Sequence, residues 1–225
     1  TEGSTQRSTE HGTVEFQDVS FRYPHASEDA LSHLSFRVQP GQTLAIIGAT
    51  GSGKSTLVSL IARFYDATSG RVLVDGVDVK DYTFDALYDR LGYVTQKAVL
   101  FSGSIRENIF FGESQTPFNE QDLAKAVELS QAQEFVDKLP DKTEHHIAQM
   151  GRNVSGGQKQ RLSIARALAR NPEILIFDDS FSALDYRTDA KLREGLSTAL
   201  HDATKIIVAQ RISTIRHADQ IIVLD

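Results

Sequence analysis

The sequence holds no cysteine and no tryptophan, and it has only one methionine and five prolines among its 225 residues. Without cysteine, disulfides, thiolate metal ligands and thiol nucleophiles are all excluded. A long hydrophobic run is missing as well, since no apolar stretch approaches the ~20 residues that span a bilayer. There is no cationic excess: Lys and Arg total 24 against 30 Asp and Glu, a formal net charge of −6. That balance disfavours a general nucleic-acid surface, so no nucleic-acid partner is expected. The histidines show no ligand spacing, and the adjacent His145 and His146 cannot face one site on a helix. No Ser-His-Asp pattern has a nucleophile-elbow context.

Enough apolar residues remain, 40% of the chain, to fill a sizeable core. The length suits one compact unit with an inserted or appended subdomain. Thr1 to Gly12 is polar and Ser/Thr-rich and reads as a linker or frayed terminus. Val14 and Phe16 share one parity and Val19, Phe21 and Tyr23 the other, which predicts short half-buried strands with a kink between them. Leu34, Phe36 and Val38 alternate into the turn signal Pro40-Gly41. Leu44 to Ile47, Val72 to Val74, Ile174 to Phe177 and Ile206 to Ala209 read as buried parallel strands, with Ile221 to Leu224 a fifth. Helical patterns over Ser55 to Phe64 and Thr188 to Leu200 lie between them. This alternation predicts an α/β core with a mostly parallel sheet. From about Gly103 to Asn171 the pattern is helical with no convincing strand, an inserted helical subdomain. The chain stops directly after the last apolar run and reads as a piece of something longer.

One segment carries chemistry by itself. Gly48-Ala49-Thr50-Gly51-Ser52-Gly53-Lys54-Ser55-Thr56 matches G-x-x-x-x-G-K-[ST], directly after an apolar run and directly before an apolar-periodic helix. Small residues let successive backbone N–H groups curl around an anion, and the helix N-terminus adds its positive dipole end. Lys54 is placed to reach the β- and γ-phosphates, and the Ser55 hydroxyl to take a Mg²⁺ position. Ile174 to Phe177 ends in Asp178-Asp179, carboxylates at the C-terminal edge of a buried strand, where ligands of open α/β sheets bind. Asp178 is the expected Mg²⁺ holder, and a nucleoside triphosphate with Mg²⁺ is the expected ligand.

Further segments identify a family. Asn153-Val154-Ser155-Gly156-Gly157-Gln158-Lys159-Gln160-Arg161 precedes Asp178, and Ser182-Ala183-Leu184-Asp185 follows it. Tyr93-Val94-Thr95-Gln96 stands before Leu100-Phe101-Ser102-Gly103-Ser104-Ile105-Arg106-Glu107-Asn108-Ile109. With these, residues 12–225 resemble the nucleotide-binding domain of an ATP-binding cassette (ABC) exporter. The resemblance implies a phosphate-loop NTPase core, an N-terminal antiparallel β subdomain and a membrane domain upstream in the full protein, with the chain on the cytoplasmic face of the membrane. It implies head-to-tail pairing in which Ser155, Gly156, Gly157 and Gln158 touch the partner's ATP. Tyr23 matches the adenine-stacking aromatic, Gln96 the glutamine that contacts Mg²⁺ and senses the γ-phosphate, and Asp185 an interface aspartate. The Phe101, Ile105 and Ile109 region matches the surface that receives the membrane domain's coupling helices. Lys159, Arg161, Arg166 and Arg170 read as a solvated face.

Two positions depart from the family. The glutamate that serves as general base is here Asp179, one methylene shorter, about 1.5 Å of reach at unchanged backbone. The histidine that contacts the γ-phosphate is here Gln210, which donates a hydrogen bond but cannot become cationic. A smaller departure is Ala148-Gln149-Met150-Gly151, where the family carries charge, and Val154 replaces the usual leucine. The expectation is the degenerate half of a heterodimeric exporter. Its own site, with Lys54, Gln96, Asp179 and Gln210 as the catalytic set, is slow, and its signature completes a competent site on a second, non-identical domain. The alternatives are a soluble non-transport ABC ATPase and a regulatory ATP-binding module with negligible hydrolysis.

Overall fold

A computed structural model describes residues 10–112, 114, 116–210 and 215–225. In chain order its strands and helices begin with β1 (Val14–Phe21), β2 (Leu31–Val38), β3 (Thr43–Gly48), α1 (Lys54–Ile61), β4 (Ser69–Val74) and β5 (Val77–Asp78). Next come α2 (Phe84–Tyr88), β6 (Leu91–Val94), β7 (Gly103–Ser104), α3 (Ile105–Ile109), α4 (Glu120–Leu129) and α5 (Gln133–Val136). The remainder are β8 (His146–Ile147), α6 (Gly156–Ala169), β9 (Ile174–Asp178), α7 (Tyr186–Ala199), β10 (Thr204–Val208) and β11 (Gln220–Leu224). These elements form two compact units: Thr1–Tyr93 with Glu173–Asp178 and Asp202–Asp225, and Val94–Pro172 with Asp179–His201.

The first unit carries two sheets, ordered β2-β1-β4-β5 and β11-β3-β10-β9-β6. In the second sheet β3 pairs parallel with β10 and β11, and β9 parallel with β10. The parity change in β1 is a register irregularity between Phe16 and Val19, with Asp18 at φ 49°. Gly70 in β4 makes room for it: a Cβ there would lie 2.3 Å from the Asp18 carbonyl oxygen, so the two backbones close only over a glycine. One expectation fails here. Val72 to Val74 belongs to the antiparallel sheet, paired with Val14 to Phe16 of β1, and the parallel sheet instead takes β6. A short apolar run states that a strand is buried but not which partner it has. Gly92 inside β6 hid the strand that was missed.

Helix α1 packs on β3, β9 and β10 and also on β4. That is why Leu57, Val58, Leu60 and Ile61 are all fully buried. They join Phe16, Val72 and Val74 to Leu44, Ile46, Ile176 and Ile206 in one apolar cluster. The phosphate-loop segment therefore leads directly into this buried cluster.

Residues 1–9 of the expected linker lie outside the described residues. Glu10 to Gly12 do not behave as a linker. The Gly12 and Thr13 amides donate to Asp75 Oδ1, at 2.6 and 3.0 Å. His11 Nδ1 lies 2.9 Å from Glu173 Oε1, and Arg90 donates to both Asp75 (2.6 Å) and Glu173 (3.2 Å). His11, Asp75 and Glu173 thus converge from three distant segments, but the Arg90 guanidinium already supplies the cation, so the group is an ion-pair clasp. Burial, with the hydrogen bond to Glu173 next, pushes the Asp75 carboxyl up to about 6, while Tyr82 and Arg90 line the same spot. A raised carboxyl favours the folded state while protonated, so its contribution to stability falls as pH rises from about 4 through about 6. Asp75→Asn keeps an acceptor for Gly12 and Thr13 without the titration. The stability of the variant relative to its parent, measured by urea unfolding, should rise across that interval. A pH-independent difference would contradict this assignment.

In the second unit α3 and α4 pack on α6. Three helices are closed by capping boxes: Ser104 with Glu107, Asn119 with Asp122, and Ser155 with Gln158. The region also contains one short antiparallel ladder between β7 and β8, too brief to leave a periodic signal. The expected solvated basic face on α6 is a correction at two positions. Arg161 donates to the Gly157 and Gln131 carbonyls and stacks 4.8 Å from the Phe135 ring. Arg166 donates to the Asn108 and Val99 carbonyls and lies 5.4 and 5.6 Å from the Phe101 and Phe111 rings, and burial pushes its guanidinium down to about 10. Leu162 to Ala165 and Ala167 to Ala169 are all buried, so α6 is the centre of its unit. Cations on such a helix persist only where backbone carbonyls satisfy them. Ile105 and Ile109 are fully buried core, whereas Phe101 is 41% exposed and stacks on Phe111 at 4.2 Å.

Candidate nucleotide site

In the first unit β3 ends at Gly48, the loop turns through Ala49, Thr50, Gly51 and Ser52, and Gly53 starts α1. Gly53 is at φ 99°, and a Cβ there would lie 2.8 Å from the Ala30 carbonyl oxygen and 3.0 Å from Leu31 Cδ2. Conformation and space both require glycine. Among the described helices of eight residues or more, α4, α6 and α7 have a side-chain cap, whereas α1 has none and no acidic residue in its first turn. Its first N–H groups and dipole end therefore face the loop without a protein anion. Ser52 Oγ is buried without a hydrogen-bond partner. Lys54 is buried, and its Nζ donates to the Gly48 and Ala49 carbonyls at 2.6 and 2.7 Å. A buried hydroxyl without a partner, a buried ammonium and an uncapped helix start form a donor set that fits a phosphate group.

The hydroxyl of Ser55 donates to Asp178 Oδ1 at 2.9 Å, and the Tyr93 hydroxyl donates to Oδ2 at 3.5 Å. Burial raises the Asp178 carboxyl above the usual range, opposed by these two bonds and by the Lys54 charge. Burial, with Asp178 next, drives the Tyr93 hydroxyl far above its ordinary value, so it stays a donor. A half-buried carboxylate beside a hydroxyl is a hard oxygen pair of the kind Mg²⁺ accepts, and a cation there would offset the burial cost. Tyr23 is half-buried, its hydroxyl 2.6 Å from Thr56 Oγ1. Gln210 is exposed, two residues past the end of β10.

The second unit holds the other expected residues. Asp179 follows Asp178 directly and adopts φ 51°, a left-handed conformation that aspartate tolerates better than most residues. Gln96 Nε2 donates to Asp179 Oδ2 at 3.1 Å, so the structure brings together two residues 83 positions apart. The Ser180 hydroxyl ties the same turn to the Val94 carbonyl at 2.6 Å. Ser155 caps α6, accepting from the Gln158 amide while the Gln158 side chain accepts from the Ser155 amide. Gly156 leaves open space on its Cβ side, so the α6 start can be approached closely there. Asp185 caps α7 through Thr188, and those bonds hold its carboxyl below the usual range.

Sequence reasoning gave no role to Tyr93 or Tyr65. Tyr93 lay inside a quoted motif, but its bond to Asp178 joins segments far apart in the chain. Tyr65 gave no signal beyond standing just after the phosphate-loop helix.

Comparison with known proteins sharpens the assignment. The profile of the ABC transporter family matches residues 31–182. An uncharacterized ABC transporter ATP-binding protein of Bacillus subtilis, YfiB, is 49% identical over 95% of this chain and 37% of its own length. An ATP-dependent lipid A-core flippase of Albidiferax ferrireducens is 42% identical over 99% of this chain and 38% of its own length. A solved structure of a bacterial Atm1-family ABC exporter with ATP bound superposes with a TM-score of 0.91 at 36% identity, covering 99% of this chain and 38% of that one. The chain thus spans a little over a third of the relatives it matches. Its α/β architecture, a mostly parallel sheet with an antiparallel β subdomain, is theirs. Among the described residues no helix is long and apolar enough to cross a membrane. On the family profile and this fold, the chain belongs to the ABC transporter family.

Proposed function

We propose that this chain is the ATP-binding domain of an ABC exporter, that it binds Mg-ATP at its own phosphate loop and turns it over slowly, and that its signature completes a competent site on a second, non-identical domain. The observation that carries the binding half is the loop itself. Its uncapped α1 start, buried Lys54 ammonium and partnerless Ser52 hydroxyl converge beside the Ser55–Asp178 pair. Successive amides from Gly48 to Thr56 cradle the phosphates, Lys54 neutralises the β- and γ-phosphate charge, and Tyr23 stacks on the adenine. Ser55 and Asp178 hold Mg²⁺, with Gln96 as a further ligand. Mg²⁺ bound there would neutralise phosphate oxygens and polarise the bond to be cleaved.

The slow half rests on Asp179 and Gln210. Asp179 would take a proton from the attacking water, with Gln96 orienting its carboxylate. Its short side chain and the uncharged Gln210 both weaken that step. Ser155, Gly156, Gly157 and Gln158 offer a second anion-binding helix start for the partner's nucleotide, and Asp185 faces that partner. The exposed Phe101–Phe111 stack supports docking of a membrane domain's coupling helices, and such docking would hold the domain at the cytoplasmic face of the membrane. The relatives' designations as an ATP-dependent flippase and an ATP-bound exporter support transport as the purpose.

The test is ATPase activity of the chain alone at rising concentration, and of the chain mixed with an ABC domain carrying glutamate and histidine at the matching positions. The chain alone should stay slow at every concentration, and the mixture should turn over at a rate that Ser155→Arg abolishes. Strong activity of the chain alone, cooperative in its concentration, would overturn the degenerate reading.

A further inference from the structure

Helix α1 begins at the phosphate loop, and the way it ends is unusual. The Arg63 amide donates to the Leu60 carbonyl and the Phe64 amide to the Ser59 carbonyl, at 3.3 and 2.9 Å, with Arg63 at φ 55°. This is the paired-bond helix stop in which the left-handed position is normally glycine. An arginine there carries conformational strain. Its side chain is fastened on three sides: it donates to Asp66 at 3.1 Å and to the Tyr82 carbonyl at 3.4 Å, and it lies 5.1 Å from the Phe84 ring. The turn so held delivers Tyr65 against Tyr23, with ring centroids 5.3 Å apart at 85°. Phe21 meets Tyr23 on another side, 4.8 Å away at 82°, and touches Tyr65 in turn at 5.4 Å. Two neighbouring rings, each near perpendicular to it, fix the plane of a third more firmly than either does alone, because the energy of each pair depends on the angle between the rings. At the opposite end of the same helix, Thr56 holds the Tyr23 hydroxyl.

We propose that Tyr65 is a positioning residue for the nucleobase: it braces the Tyr23 ring so that α1, which carries the phosphate-binding residues at its start, also sets where the base platform stands. The inference rests on the reading of Tyr23 as an adenine platform. Tyr65 remains 44% exposed, so its ring is not simply core filling. With the brace removed, the Tyr23 ring swings and the base loses a fixed face, while the phosphate loop is untouched.

The experiment compares Mg-ATP with inorganic tripolyphosphate, which has the phosphates and no base, by calorimetric binding to the parent, Tyr65→Leu, Tyr65→Phe and Tyr23→Ala. Leucine keeps apolar bulk without a ring. One aromatic pair is worth about 0.5–1.5 kcal/mol, so Tyr65→Leu should weaken ATP about 2- to 12-fold. It should leave tripolyphosphate within about 2-fold, which also shows that the loop is still folded, and Tyr65→Phe should bind ATP like the parent. Tyr23→Ala should lose ATP affinity selectively as well. If it does and Tyr65→Leu binds ATP like the parent, the brace alone is refuted. If Tyr65→Leu loses both ligands equally, the residue is merely structural and the inference fails. If Tyr23→Ala leaves ATP affinity unchanged, the platform reading falls and the brace with it.

Discussion

Replacing Lys54 with alanine should weaken Mg-ATP binding by roughly 30- to 5,000-fold, the effect of 2–5 kcal/mol for truncating one partner of a buried, hydrogen-bonded charge pair. The side chain is buried, and its Nζ already lies at the mouth of the loop, 2.6 Å from the Gly48 carbonyl and 2.7 Å from that of Ala49. Alanine leaves the loop amides and the uncapped α1 start in place, so some anion affinity should survive. What disappears is the full positive charge of the Lys54 ammonium. A loop lysine acts as a compact point charge with three donors, whereas arginine is a planar fork. Lys54→Arg should therefore recover only part of the affinity. Calorimetric titration with Mg-ATP gives the loss, and a thermal unfolding curve without nucleotide shows whether the fold has been disturbed. The apolar packing of α1 is carried by Leu57, Val58, Leu60 and Ile61, which the substitution leaves in place, so the unfolding midpoint should hardly move. Unchanged affinity in Lys54→Ala would remove the basis for a triphosphate site.

The second large effect runs in the opposite direction. Asp179→Glu combined with Gln210→His should raise turnover at this chain's own site on the order of 10²-fold, because a well-placed base contributes about 10²–10⁴ in rate. Mg-ATP affinity should change far less than the rate, since neither residue belongs to the loop amides and Lys54 that hold most of the phosphate charge. The local backbone adds a signature. Asp179 sits at φ 51°, a conformation that aspartate tolerates better than glutamate. The glutamate variant should accordingly unfold slightly earlier while working faster, a trade often seen where an active site holds strain. Gln96, which donates to the Asp179 carboxylate at 3.1 Å, would have to follow the longer side chain. Asp179→Glu alone should therefore gain less when Gln96 is changed to alanine. Steady-state rates for the single and double variants measure this directly, and no gain in the double variant would count against the two departures as the cause of slow turnover.

Much of the candidate site was legible because its signals are local. The phosphate loop is a strand, a small-residue turn and a helix in unbroken succession, and Asp178 ends an apolar strand. Each can be read within about ten residues. The cap that Ser155 forms is equally local, as its bond partner is Gln158. What escaped depends on pairing across long stretches of chain. The run Val72 to Val74 showed only that a buried strand exists, and its antiparallel partner β1 lies some sixty residues earlier. His11, Asp75 and Glu173 have unremarkable spacing and meet only once β4 and β9 are in place. Arg161 and Arg166 alternate with apolar residues in a way that suggests a wet face. They are partly buried because α3 and α4 pack on α6. Tyr65 was invisible for a related reason, since its meaning lies in a left-handed turn at Arg63 that no glycine announced.

The measurement that bears most directly on the central claim places binding and hydrolysis side by side on one sample. Mg-ATP is titrated calorimetrically into the chain, and phosphate release is then followed at saturating nucleotide. The expected result is ATP binding that Lys54→Ala weakens at least 30-fold, together with turnover below about 0.1 s⁻¹, beneath the usual enzyme range of about 1–10³ s⁻¹. Turnover within that range by the chain alone, with Asp179 and Gln210 in place, would contradict it.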